Sequence, residues 1–193
     1  MVKRHSINGF PKNKLDNRRK VAVENYRITM RRKHDLRIYK YYKSQHDRLI
    51  PLSDRELYVS GLFLYLGEGN KVSKNTISVS NSDPSVLKFV KHWFINSLKV
   101  SDSKIRMQLH LYSDMNVDKE IKFWLSELSM KRQSLAKPYI KKSLRSDIDQ
   151  KGWGHGTCSL LVHDTFLKEN LLMAIRAITD SYGVNPNKFD IIQ

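Results

Sequence analysis

The side chains with the most pointed chemistry sit in the run Ser60-Gly61-Leu62-Phe63-Leu64-Tyr65-Leu66-Gly67-Glu68-Gly69. Read as a helix, this run places Ser60, Gly61, Leu64, Gly67 and Glu68 on one face. Small residues along a stripe let a second helix backbone approach closely. That face is therefore expected to meet a twin, with Ser60, Gly61, Leu64 and Gly67 in a homodimer interface. Val59, Leu62, Phe63 and Leu66 would then cover the chain's own core. Glu68 stands at the foot of the stripe, a helix end that disfavours negative charge unless something rewards it. Two such carboxylates meeting at a two-fold axis make an oxygen site for a divalent metal.

Basic side chains supply a second chemistry. The 193 residues carry 35 Lys and Arg against 19 Asp and Glu, a formal charge of +16. Polyanions complement such a charge, because each neutralised phosphate releases condensed counterions. The excess is concentrated in residues 1–50, which hold 15 Lys and Arg against 4 Asp and Glu. Arg18 and Arg19, with Arg31, Arg32 and Lys33, form clusters there that are expected to contact phosphates. Further along, Arg106, Gln108 and His110 alternate with Ile105, Met107, Leu109 and Leu111, the polar face of a half-buried strand. Arg and Gln pair bidentately with guanine and adenine, so this face is a candidate base reader. The expected partner is double-stranded DNA, and Lys137, Lys141, Lys142 and Arg145, around a strand with Tyr139, would meet it from the sheet face. RNA binding would call for exposed aromatic platforms, for which only the tyrosines of the basic segment qualify.

Other chemistries are poorly served. His155, Cys158 and His163 give three zinc ligands without a fourth, astride a loop and a strand, a pattern expected of coincidence. No apolar run approaches the roughly 18 residues of a membrane span, and no apolar leader stands at the N-terminus. No membrane partner is expected. The lone Cys158 excludes an intrachain disulfide and fits a reducing cytoplasm.

These residues must be held by a small number of elements. Lys14 to Arg48 contains no Gly or Pro and reads as one or two helices, a basic arm spanning residues 1–50. Pro51 ends it, since the residue before proline is pushed out of the helical region. Ser53 caps a helix that runs to about Gly67. Strands follow at Thr76–Ser80, Ile105–Tyr112, Tyr139–Leu144 and Thr157–His163. Between and after them lie helices from Asp83-Pro84, over Val117–Leu128 and over Phe166–Tyr182. Trp93 and Trp124 fall in the core. Residues 51–193 thus read as an α+β domain with a mainly antiparallel sheet.

Taken with Ser80-Asn81-Ser82-Asp83 closing the first strand, the motif resembles that of the LAGLIDADG homing endonucleases, in the version ending Gly-Glu-Gly. The likeness spans roughly residues 54–180. It implies that the motif helices form the dimer interface and that a saddle-shaped antiparallel sheet sits in the DNA major groove. It also implies that Glu68 binds magnesium, and that a nearby lysine, Lys141 or Lys142, stabilises the phosphorane or its leaving group. One motif implies a homodimer. The chain departs from the pattern in carrying Leu66 two positions before the metal ligand, where the family has an acid, and in a Gly-Leu pair standing two residues early. The expected function is a site-specific DNA endonuclease, making a double-strand cut or a nick by metal-assisted phosphodiester hydrolysis. The alternative is a DNA-binding regulator on the same fold without cleavage.

Overall fold

The computed structural model describes residues 12–144 and 154–183, with side chains from residue 17 onward. The chain divides into two units, Met1–Leu52 and Ser53–Gln193.

The first unit is one uninterrupted helix, α1 (Lys12–Leu49), of 38 residues. At 1.5 Å per residue it is about 57 Å long. Nothing between its ends breaks it, and the chain leaves helical geometry at Ile50, before Pro51. Every described side chain on it is exposed, including Tyr26, Ile28, Leu36, Tyr39, Tyr41 and Tyr42. Its apolar residues are scattered around the cylinder and form no stripe, so the helix has no single face to bury.

The second unit is an α+β fold. Its helices are α2 (Asp54–Glu68), α3 (Pro84–Asn96), α4 (Val117–Glu127) and α5 (Thr165–Tyr182). Its strands are β1 (Thr76–Asn81), β2 (Arg106–Tyr112), β3 (Tyr139–Lys141) and β4 (Thr157–His163). Local chemistry sets the helix starts. Ser53 and Glu56 close a capping box around the first turn of α2, and this hydrogen bonding lowers the Glu56 pKa. Asp83 accepts from the Ser85 N–H at 2.8 Å, with Pro84 behind it opening α3. Asn116 and Asp164 cap α4 and α5 in the same way.

The strands form one sheet in the order β1-β4-β2-β3. β4 runs antiparallel to both β1 and β2, whereas β2 and β3 are parallel. The sheet is therefore mixed. The parallel pair follows from α4, which carries the chain back across one face before β3 begins, as parallel neighbours require. β3 is also shorter than its alternating sequence implied, with Lys142 already in the bend beyond it.

One face of this sheet is the core. Ile77, Val79, Met107, Leu109, Leu111, Cys158, Leu160 and Val162 point into a cluster with Leu62, Tyr65, Leu87, Trp93, Phe94, Trp124 and Leu171. Burial pushes the Cys158 thiol well above the ordinary cysteine range.

The rotation of α2 differs from the sequence expectation. Leu57, Gly61, Leu62 and Tyr65 are the buried residues of that helix. Gly61 lies flat against the Trp93 indole, so close that a Cβ there would stand 2.1 Å from Nε1. Gly61 is thus a notch for the chain's own tryptophan and is not free to meet a second helix. Leu64 is partly buried and packs against the same core. Phe63 and Leu66, expected inside, are exposed together with Ser60 and Gly67. The Trp93 indole takes up the space where any side chain at position 61 would stand, which fixes this side of the helix inward. The outward stripe is consequently Val59, Ser60, Phe63, Leu66 and Gly67.

Gly61→Ala should therefore destabilise the protein although it removes a glycine from a helix. Overpacking costs about 1–3 kcal/mol, against which the helix-propensity gain is only about 0.5–1 kcal/mol. A urea unfolding midpoint that rises in the variant would show that Gly61 does not seat Trp93.

Candidate functional site

The face of the sheet opposite the core carries no second layer of elements among the described residues. It is built from the alternate side chains: Thr76, Ser78 and Ser80 of β1, and Thr157, Ser159, Leu161 and His163 of β4. Arg106, Gln108, His110 and Tyr112 of β2 complete it with Tyr139 and Lys141 of β3. In β2 the burial alternates strictly, with the polar residues half-exposed and Met107, Leu109 and Leu111 inside. The sequence-selected Arg106, Gln108 and His110 therefore do share one face with Lys141.

That face is tied together by side-chain hydrogen bonds. Ser80 Oγ lies 2.6 Å from Ser159 Oγ, and Ser159 Oγ lies 3.2 Å from His110 Nε2. The His110 ring meets Tyr139 at a centroid distance of 5.8 Å. Burial, and then the charge of Lys141, holds the His110 imidazole below its ordinary pKa. A neutral imidazole offers one donor and one acceptor, the equipment for reading a polar edge. Gln108 spans to the Lys137 carbonyl at 3.3 Å. Lys141 lies over the Tyr112 ring, its Nζ 4.9 Å from the centroid and 3.5 Å from the phenol oxygen. Lys137 and Lys142 are exposed, and Arg145 lies outside the described residues.

Glu68 is the last residue of α2 and is exposed. The chain beyond it is fastened to the sheet. Gly69 forms a β-bridge with Val79, and the Asn70 N–H donates to the Ser78 carbonyl at 2.9 Å. Glu68 thus stands beside the β1 edge of the sheet. β3 is the opposite edge of the same sheet. Three strand spacings separate the two edges, roughly 14 Å. Within one subunit, then, Lys141 and Lys142 lie at the edge of the sheet opposite Glu68. The order of strands, invisible to a reading of each strand by itself, is the cause.

The basic side chain that the fold does bring to the Glu68 turn is Lys168, at the start of α5. It is 1% exposed, its ammonium meets the Tyr65 phenol and the Asn70 carbonyl, and it lies 4.9 Å from the Tyr65 ring centroid. Burial, and then the charge of Lys71, lowers its pKa. Burial likewise raises the Tyr65 phenol to about 12. Lys168 was missed, although its signal is in the sequence: it sits at the i, i+3 and i+7 spacing of Leu171 and Ile175, on the apolar stripe of α5.

As a metal ligand, Glu68 fits the chemistry of a hard cation only in part. Among the described residues no three His, Cys, Asp or Glu cluster as a metal site. One chain offers one carboxylate and two copies offer two, which suits magnesium, commonly held by one or two carboxylates with waters and phosphates. The three imagined zinc ligands are dispersed. His155 Nδ1 lies 2.7 Å from Glu120 Oε2, with its ring stacked 3.6 Å from Phe123. His163 pairs with Thr76 at the other end of β4, and Cys158 points into the core. Asp83 is engaged as the α3 cap.

No family model, curated protein or solved structure matches this chain. No helix among the described residues is long and apolar enough to cross a membrane.

Proposed function

We propose that this protein is a magnesium-dependent, site-specific DNA endonuclease of the LAGLIDADG type, acting as a homodimer. One observation carries the reading. The helix ending in Glu68 keeps an apolar, small-residue stripe outside, and the same helix end is pinned to the edge of an uncovered polar sheet face. An exposed Phe63 at 45% and Leu66 at 38%, flanked by Ser60 and Gly67, suit a second copy of the same helix better than water. Gly67 has nothing within 4 Å of where its Cβ would be, so a neighbouring backbone can come close there.

In this reading the sheet face lies along the major groove. Arg106, Gln108 and the neutral His110 meet base edges, while Lys137 and Lys141 meet phosphates. The exposed α1 adds Arg18, Arg19, Arg31, Arg32 and Lys33 as further phosphate contacts. Glu68, one from each copy, would hold magnesium beside the scissile phosphates. When bound, such a cation supplies Lewis-acid stabilisation of the leaving oxygen and lowers the pKa of coordinated water. The chain's contribution is to hold the Glu68 carboxylate at the edge of that sheet face.

Glu68→Gln should abolish magnesium-dependent cleavage of a DNA library by the purified protein, leaving DNA affinity and unfolding midpoint near native. Glutamine keeps the size of the side chain and removes the charge that a hard cation needs. Native protein that yields identical product patterns with magnesium and with chelator is not this nuclease, and would point to the regulator.

The arm makes a separate prediction. Replacing Arg31, Arg32 and Lys33 together by Gln should flatten the plot of log affinity against log salt by up to about 3. Gln108→Ala should leave that slope unchanged, because it removes no charge. A slope unaltered by the triple substitution would take α1 off the DNA.

A further inference from the structure

We infer that Lys168 is a positioning residue for Glu68, acting through the turn that follows the motif helix. The inference rests on the nuclease reading for its functional consequence, and on geometry for the positioning itself.

A lysine buried to 1% is costly unless its ammonium has partners. This one has no carboxylate partner among the described residues. Its ammonium is directed instead at one main-chain oxygen, that of Asn70, and at the phenol of Tyr65, which donates to that same oxygen. Two groups, one from α2 and one from α5, thus converge on the carbonyl two residues after Glu68. The rest of the turn is fixed from other directions. The Gly69 N–H donates to the Tyr65 carbonyl at 2.8 Å, and the Asn70 side chain accepts from the Val72 and Ser73 N–H groups. Gly69 has no room for a side chain, since a Cβ would stand 2.3 Å from the Tyr65 ring.

An apolar residue at position 168 would serve α5 packing equally well, since Leu171 and Ile175 continue the same stripe. What the ammonium adds is a charge-assisted bond to the turn, from an element that does not belong to the motif. The consequence is a carboxylate held at a set position relative to the groove face before any ligand arrives. Metal ligands held by outer-shell partners lose about ten- to a hundredfold in metal affinity when those partners are removed.

The test compares the full-length native protein with Lys168→Met, Tyr65→Phe and Glu68→Gln. Amide hydrogen exchange reads the turn without reference to metal, and manganese titration of the DNA-bound protein reads the site. In Lys168→Met, the Gly69 and Asn70 amides should exchange about tenfold faster or more while those of Ser159 and Leu160 keep native protection. Manganese affinity should fall by about ten- to a hundredfold, and Tyr65→Phe should move both readouts the same way. Native exchange at Gly69 and Asn70 in Lys168→Met overturns the positioning. Native exchange lost across the whole sheet also overturns it, because Lys168 would then serve global packing. Should Glu68→Gln bind manganese as the native protein does, the nuclease reading falls, and the exchange data still decide whether Lys168 orders the turn.

Discussion

The contact between Gly61 and Trp93 sets the rotation of α2, and the layout of the second unit follows from that rotation. Trp93 is fully buried, and its indole occupies the space that a side chain at position 61 would fill. Once the indole is seated, the helix can turn neither way without lifting Leu62 and Tyr65 out of the core. The face carrying Phe63, Leu66 and Gly67 is then forced outward. The same docking brings the helix end down beside β1, so that Gly69 and Asn70 extend the sheet edge and Glu68 is delivered to a defined place. A packing constraint nearly two helical turns away thus decides where a carboxylate stands.

The sheet divides the labour. Its inner face supplies the apolar mass that holds four helices, and its outer face is left polar and uncovered. Strict alternation in β2 makes this possible, because a period of two sends Met107, Leu109 and Leu111 inward and Arg106, Gln108 and His110 outward without conflict. Ser159, at the centre of the polar face, is buried to 3% yet hydrogen-bonded on both sides, so the face is ordered from within. A face pre-arranged in this way can read a polar ligand with little loss of side-chain freedom on binding.

Much of this was legible in the residues. The caps at Ser53 and Asp83, the alternation in β2, and the helix break at Pro51 are local signals, and the elements begin and end close to where those signals stand. What was not legible depends on contacts between elements distant in sequence. The small residues of α2 announced a close approach but not to what: Gly61 approaches Trp93, 32 positions on, and only Gly67 keeps its open side. The strand order put Lys141 and Lys142 at the far edge from Glu68, and no property of strand β3 alone could reveal that. Lys168 was legible as a charged residue on an apolar stripe, an exception of the kind that marks a buried partner.

The proposed nuclease requires the outward face of α2 to meet a second copy of itself. Gly67→Cys addresses this directly, because its side chain would point into open space and the native Cys158 is buried out of competition. Helices crossing at a small residue bring Cα atoms to about the 4.4–6.8 Å that a disulfide spans. Mild oxidation of the DNA-bound variant should give a covalent dimer rapidly and nearly completely. A protein that stays monomeric on a non-reducing gel, while the thiol at position 67 remains open to alkylation, would contradict the account.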